Sequence, residues 1–201
     1  MRSSCGISPT RLTPVGNAAN SIRASSQCRD SNSGSSLVVP SAGLDRGTVV
    51  RYASGMPLRI AIFRNGIRER LPAALLRRAA ETVLRGEAVA KATVRIILCA
   101  DEEIHELNRR YLQHDYPTDV LTFVLEDAPL EVELYIGVQQ AHRQAQEYGV
   151  PVEEELVRLT VHGLLHALGY DDQAPAQQRE MVARQENYVA QLCPRPAGPL
   201  S

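Results

Sequence analysis

Two histidines four residues apart, His162 and His166, are followed by Gly169 and then by Tyr170, Asp171 and Asp172. Residues at i and i+4 leave one face of a helix a turn apart, so both imidazoles can meet a single metal ion at about 2.0–2.1 Å. Gly169 predicts the left-handed residue that ends a helix and folds the chain back, which brings Tyr170, Asp171 and Asp172 toward the same face and puts an acidic third donor within reach. Such a set predicts one Zn²⁺ per chain, held by His162, His166 and an acidic donor, with one position open to a water that the metal acidifies for hydrolysis. A histidine pair alone is more often a solvated or core feature than a ligand pair. The pair gains weight here because helix stop and carboxylate follow in register.

These residues need a rigid carrier. Val157, Val161, Leu164 and Leu168 recur at helical spacing, with Leu156 and Leu159 beside them, and predict a largely buried helix from Val152 to Leu168. Upstream, Leu58–Phe63 alternates as a strand, and Leu71, Leu75, Ala79 and Val83 mark a helix with Gly86 beyond its end. Thr93–Leu98 predicts a second strand, and Asp101 opens a helix through Ile104, Leu107 and Tyr111. Val120–Val124 and Leu134–Ile136 predict two further strands joined by an acidic, polar connection. Helices at Val138–Tyr148 and Gln177–Leu192 flank the histidine helix. The expectation is an α+β domain: a mixed sheet of about four strands with about five helices and a metal site on a buried helix.

The length of 201 residues suits one domain. Net charge is −1, but residues 1–55 carry six arginines against Asp30 and Asp45, a net of +4, and residues 56–201 carry 16 basic and 21 acidic residues, a net of −5. The first 55 residues are rich in Ser, Gly, Asn and Pro and lack periodicity, which predicts a disordered tail ahead of a domain at 56–201. With Met56 directly before the first strand, that tail reads as sequence upstream of the true start or as an organelle transit segment. No apolar run is long enough to span a bilayer, and Cys5, Cys28, Cys99 and Cys193 form no paired motif. The expected location is cytoplasmic, or organellar if the tail is a transit segment.

The His-x-x-x-His-x-x-Gly spacing is shared with the metzincin zinc proteases, in which a glutamate follows the first histidine as general base. Here that position is Gly163, so proteolysis is a third choice behind two other readings. The run from His162 to Asp172 closely resembles the His-Gly-x-Leu-His-Leu-x-Gly-Tyr-Asp-His signature of the YbeY family, endoribonucleases that mature ribosomal RNA. The block from Leu107 to Phe123, with Asn108, Tyr111, Asp115 and Pro117-Thr118-Asp119-Val120-Leu121, resembles a second family motif, and together the likeness covers residues 58–192.

The resemblance implies a metal-dependent, single-strand-specific endoribonuclease acting at the 3′ end of 16S ribosomal RNA and in ribosome quality control. It implies ribosomal RNA, the small ribosomal subunit and an Era-type GTPase as partners. It places Thr118 and Asp119 beside the cleft, where ordinary turn chemistry accounts for them equally well. Three residues depart from the family pattern: Asp172 stands in place of the third histidine ligand, so the resemblance implies a His162, His166 and Asp172 site for the metal; Leu112 replaces an arginine; and Val132 replaces a glycine ahead of Glu133. Leu112 removes a bidentate phosphate donor, which Arg109 or Arg110 would have to replace. It also favours the alternative of a ribosome-assembly factor with a structural metal and little nuclease activity. No general base is identifiable, His105, His114 and His142 receive no role, and Arg77, Arg78, Arg85, Lys91, Arg109 and Arg110 are candidates for a basic RNA-facing surface.

Overall fold

A computed structural model of the chain describes residues 12–14, 21–24 and 58–194. Along the chain run β1 (Leu12–Pro14), β2 (Ser21–Ala24), β3 (Leu58–Asn65), α1 (Ala73–Gly86), β4 (Ala92–Cys99), α2 (Asp101–Leu112), β5 (Val120–Asp127), β6 (Leu130–Gly137), α3 (Val138–Tyr148), α4 (Val152–Ala167) and α5 (Pro175–Leu192). All five predicted helices and all four predicted strands are present.

The sheet is mixed, in the order β1-β2-β5-β6-β4-β3. β3, β4 and β6 are parallel neighbours, β5 runs antiparallel to β6, and β2 lies parallel to β5. β1 and β2 fall in the stretch whose composition predicted no regular structure. Ser21, Ile22 and Arg23 pair with Thr122, Phe123 and Val124, and this covers the main-chain groups that β5 would otherwise present at an open edge. Backbone pairing of this kind needs no side-chain periodicity, so none foretold it. The rest of the predicted tail, with the start-site and transit readings, lies outside the described residues.

The polar connection predicted between Val124 and Leu134 is a second difference. β5 and β6 extend to Asp127 and Leu130, leaving a tight hairpin turn. Leu130, Val132 and Leu134 face the core while Glu131 and Glu133 alternate outward, where both meet Arg95 of β4 at 2.6 and 3.4 Å. The alternation is that of a half-buried strand, masked in the sequence by its acidic residues.

Val94, Ile96, Leu98, Val132, Leu134 and Ile136 form one apolar face of the sheet, on whose side α1, α3 and α4 pack, with α5 laid against α4 and α1. Ile97, Cys99, Leu121, Phe123 and Tyr135 form the other face, covered by Ile104, Leu107 and Tyr111 of α2. α4 is central, touching α1, α3, α5, β5 and β6. Glu153, Glu154 and Glu155 in its first turn favour the positive end of the helix dipole, and the Pro151 carbonyl accepts the Glu154 and Glu155 amides. Leu156, Val157, Val161, Leu164 and Leu165 are all fully buried, each contributing about 1.5–3 kcal/mol by removal from water. The helix that carries the histidines is therefore among the most firmly held elements of the fold.

Candidate metal centre

α4 ends in a Schellman turn. Gly169 has φ +95°, its N–H donates to the His166 carbonyl at 3.0 Å, and the Tyr170 N–H donates to the Leu165 carbonyl at 3.0 Å. This reversal delivers the Tyr170 carbonyl to the His166 ring, whose Nδ1–H donates to it at 3.0 Å. A carbonyl can only accept, so the His166 proton sits on Nδ1 and the Nε2 lone pair is free. His162 Nδ1 lies 2.9 Å from Gln185 Oε1, which fixes its ring in the same sense.

Both Nε2 atoms consequently point at one spot, 3.1 Å apart. Burial first, and the neighbouring His162 second, hold the His166 imidazole below the ordinary histidine pKa, so it is neutral near pH 7. Two lone pairs face to face share no proton, and a cation between them resolves the repulsion. Their separation is close to the roughly 3.3 Å edge of a zinc tetrahedron with bonds of 2.0–2.1 Å. Asp172 Oδ2 lies 3.7 Å from His166 Nε2, and one donor atom from each of His162, His166 and Asp172 falls within 4.8 Å of the others. The three residues fit a divalent metal. The His166 side chain is 6% exposed and that of Asp172 36%, so the cluster opens to solvent on the Asp172 side.

Asp171, one residue earlier, turns inward on its own backbone: its Oδ1 accepts the Asp172 N–H at 2.8 Å and the Gln173 N–H at 3.3 Å. The turn is braced from outside by Glu87, just beyond α1, whose carboxylate accepts the Tyr170 hydroxyl at 2.8 Å, the Tyr188 hydroxyl at 2.7 Å and the Arg184 guanidinium at 2.9 and 3.0 Å. Burial raises the Glu87 pKa, and the hydrogen bonds from Tyr188, Arg184 and Tyr170 together outweigh it, so the net shift is below 4.5. An acid with a depressed folded-state pKa contributes stability above its unfolded value and loses it as pH falls through the folded one. The stability difference between wild type and Glu87→Gln is therefore expected to be largest above about pH 4.5 and to shrink below it, as read from urea unfolding across pH.

Neither Gln185 nor Glu87 was among the residues singled out from sequence. Gln185 did leave a trace: it is a polar residue on the buried stripe Met181, Gln185, Tyr188, Val189 and Leu192 of α5. Glu87 left none. Gly86, predicted beyond the end of α1, is its last residue, and the Tyr188 ring occupies the space a side chain would need.

The other predicted residues are engaged elsewhere. Thr118 is buried and donates to Asp119 Oδ1, which also accepts the Val120 N–H at 2.7 Å, while Asp119 Oδ2 accepts from Gln144 of α3 at 3.0 Å. The pair thus anchors the start of β5. Arg109 lies exposed on α2 and pairs with Glu106. Leu112 packs against the apolar cluster under α2, and Val132 fills the core opposite Val94 and Val124. Of the basic candidates, Arg77 and Arg78 donate to the carbonyls of Ile60 and Leu192 and so tie α1 to β3 and α5, while Arg85, Lys91 and Arg110 are exposed. His105 and His142 pair with Asp115 and Glu69, and His114 stacks on Tyr116.

Gly163, the position of the metzincin base, faces away from the cluster. A Cβ there would come within 2.9 Å of Leu134 Cδ2 and 3.0 Å of Thr122 Oγ1, so the glycine lets α4 lie directly on the sheet.

Fold and site together define an α+β protein with a two-histidine, one-aspartate cluster able to hold a metal at the end of a buried helix. The profile of the Endoribonuclease YbeY family matches residues 64–193, and the chain belongs to this family. Relatives bearing the name Endoribonuclease YbeY include one from Chloroherpeton thalassium, 39% identical over 127 residues, covering 63% of this chain and 90% of the relative. Another, from Brevibacillus brevis, is 40% identical over 136 residues, covering 59% of this chain and 85% of the relative. A solution structure of a Thermotoga maritima protein aligns with a TM-score of 0.48 and 29% identity over 72% of this chain and 99% of that one. Among the described residues no helix is long and apolar enough to cross a membrane.

Proposed function

We propose that the protein is a zinc-dependent endoribonuclease that cleaves single-stranded RNA during ribosomal RNA maturation, at the 3′ end of 16S RNA and in ribosome quality control. The observation that carries the reading is the pair of Nε2 atoms 3.1 Å apart beside Asp172, in a chain of the YbeY family. Zinc, when bound by His162, His166 and Asp172, supplies Lewis-acid polarisation of a phosphoryl oxygen and a water acidified toward neutral pH. The chain's own contribution is orientation. The Tyr170 carbonyl and Gln185 hold both Nδ1 protons, the Schellman turn sets the Asp172 carboxylate at the solvent side, and Glu87 steadies that turn.

Arg109 is the proposed phosphate contact on α2, and Thr118 with Asp119 shapes the edge of the substrate path. The proposed partners are ribosomal RNA on the small ribosomal subunit and an Era-type GTPase. One observation favours a second reading, an assembly factor with a structural metal: Leu112, in place of the family motif's arginine, packs against the apolar cluster under α2 and offers no phosphate donor.

A labelled single-stranded RNA incubated with zinc-loaded protein and with His162→Ala separates the two. Cleavage by the first and its loss in the second supports the nuclease. Equal cleavage by both would overturn it. Absence of cleavage by a zinc-loaded protein that still co-sediments with the small subunit would establish the assembly factor. Elemental analysis of protein purified without added metal reads the metal itself, with one zinc per chain expected.

A further inference from the structure

The two histidines of the metal pocket are oriented by different kinds of acceptor. His166 leans on a main-chain carbonyl, which no substitution removes, whereas His162 leans on the side chain of Gln185, 23 residues away on α5. An amide has two ends, and only its oxygen can fix the His162 proton on Nδ1. The surroundings decide which end faces the ring. Gln185 is 8% exposed, and its nitrogen donates to Glu186 Oε1 at 3.0 Å. Glu186 is in turn held by Arg158, whose Nε donates to Oε1 at 2.9 Å and Nη2 to Oε2 at 3.2 Å.

Arg158 sits one turn before His162 on α4 and is itself pinned by two buried carboxylates of the same helix, Glu155 at 2.6 Å and Glu154 at 3.0 Å. An ionised carboxylate only accepts, so the group of Gln185 that reaches Glu186 is the nitrogen, and the oxygen is left for His162. Reversing the amide would set its oxygen against the Glu186 carboxylate and its nitrogen against a protonated Nδ1, an unfavourable pairing at both ends.

We propose that Gln185 is a positioning residue for the metal centre: locked by Glu186 and Arg158, it fixes His162 as the Nδ1–H tautomer with Nε2 ready to bind the metal. The chain Arg158–Glu186–Gln185–His162 makes the contact between α4 and α5 part of the metal pocket. Metal affinity is thereby set partly by a helix that contributes no ligand. This inference rests on the zinc reading above but has a readout that needs no metal.

Two measurements on the full chain test it. In zinc-free wild type at about pH 8, well above the ordinary imidazole pKa, the ¹⁵N shifts of His162 should show protonation at Nδ1. In Gln185→Leu the same shifts should show a tautomer mixture, and zinc affinity, read by competition with a chromophoric chelator, should fall about 10–100-fold. The double variant Gln185→Glu/Glu186→Gln keeps an acceptor oxygen at Nδ1 and gives it an amide donor in place of the neighbouring carboxylate, so it should hold zinc at least as tightly as wild type, a rescue that a purely structural role would not produce. Melting of the zinc-free variants shows whether each is folded. A wild-type His162 protonated at Nε2, or a folded Gln185→Leu that binds zinc within about twofold of wild type, would overturn the proposal. Nδ1 protonation in a wild-type protein that binds no zinc would uphold the positioning and sink the zinc reading instead.

Discussion

Replacing Asp172 by alanine is expected to weaken zinc binding by more than the roughly 10–100-fold typical of losing a partner outside the ligand shell, because it removes one of the three donors that the cluster brings together among the described residues. Two imidazoles would remain, oriented as before by Tyr170 and Gln185, with no anionic ligand. Asp172→His should retain the metal, since it restores a nitrogen donor at the same place in the turn. Asp171→Ala is the control. Its carboxylate is occupied by the Asp172 and Gln173 amides, so its loss should loosen the turn and lower affinity modestly while leaving one metal per chain. Isothermal titration of zinc into the three metal-free variants reads all of this. Unchanged affinity in Asp172→Ala with loss in Asp171→Ala would transfer the ligand role by one residue. No change in either would place the third donor outside this turn.

The second large effect concerns Gly163. Gly163→Ala puts a methyl within 2.9–3.0 Å of Leu134 and Thr122 and 3.4 Å of Val120, and the sheet beneath α4 has little room to move. Overpacking of this size costs about 1–3 kcal/mol, visible as a lower urea midpoint at unchanged slope. Gly163→Glu, which writes the metzincin sequence into the helix, adds a carboxylate between helix and sheet. The penalty for a buried unpaired ion is several kcal/mol more, comparable with the whole 5–15 kcal/mol of an ordinary domain. The variant is expected to be insoluble or to lack a cooperative transition. A folded Gly163→Glu protein that cleaved peptides would contradict both the packing argument and the placing of the protease reading third.

The His162, His166 and Asp172 cluster was legible in the sequence because its arrangement is local. His162, His166 and Gly169 lie within one helix and its stop, and the 3.6-residue period alone places two imidazoles on a common face and a reversal after them. The four main strands and five helices were legible for the same reason, each carrying its own period of apolar residues. Where charged residues overlay that period, as at Glu131 and Glu133 of β6, the reading stopped short of the true strand ends.

Tertiary structure decided what no local period encodes. The orientation of His162 depends on Gln185, 23 residues away, and the turn that carries Asp172 depends on Glu87, 83 residues from Tyr170. Sequence separation says nothing about such pairs until the helices that bear them are packed together. The identity of Gly163 belongs to the same category: along the chain it is only a missing base, and its reason lies in Thr122 and Leu134 of the sheet on which α4 rests. The chain by itself determined which residues can bind a metal, because ligand spacing follows from helix geometry. Only the folded molecule determined how those ligands are aimed, because hydrogen-bond acceptors for two imidazole rings are supplied by whatever main chain and side chains long-range packing brings beside them.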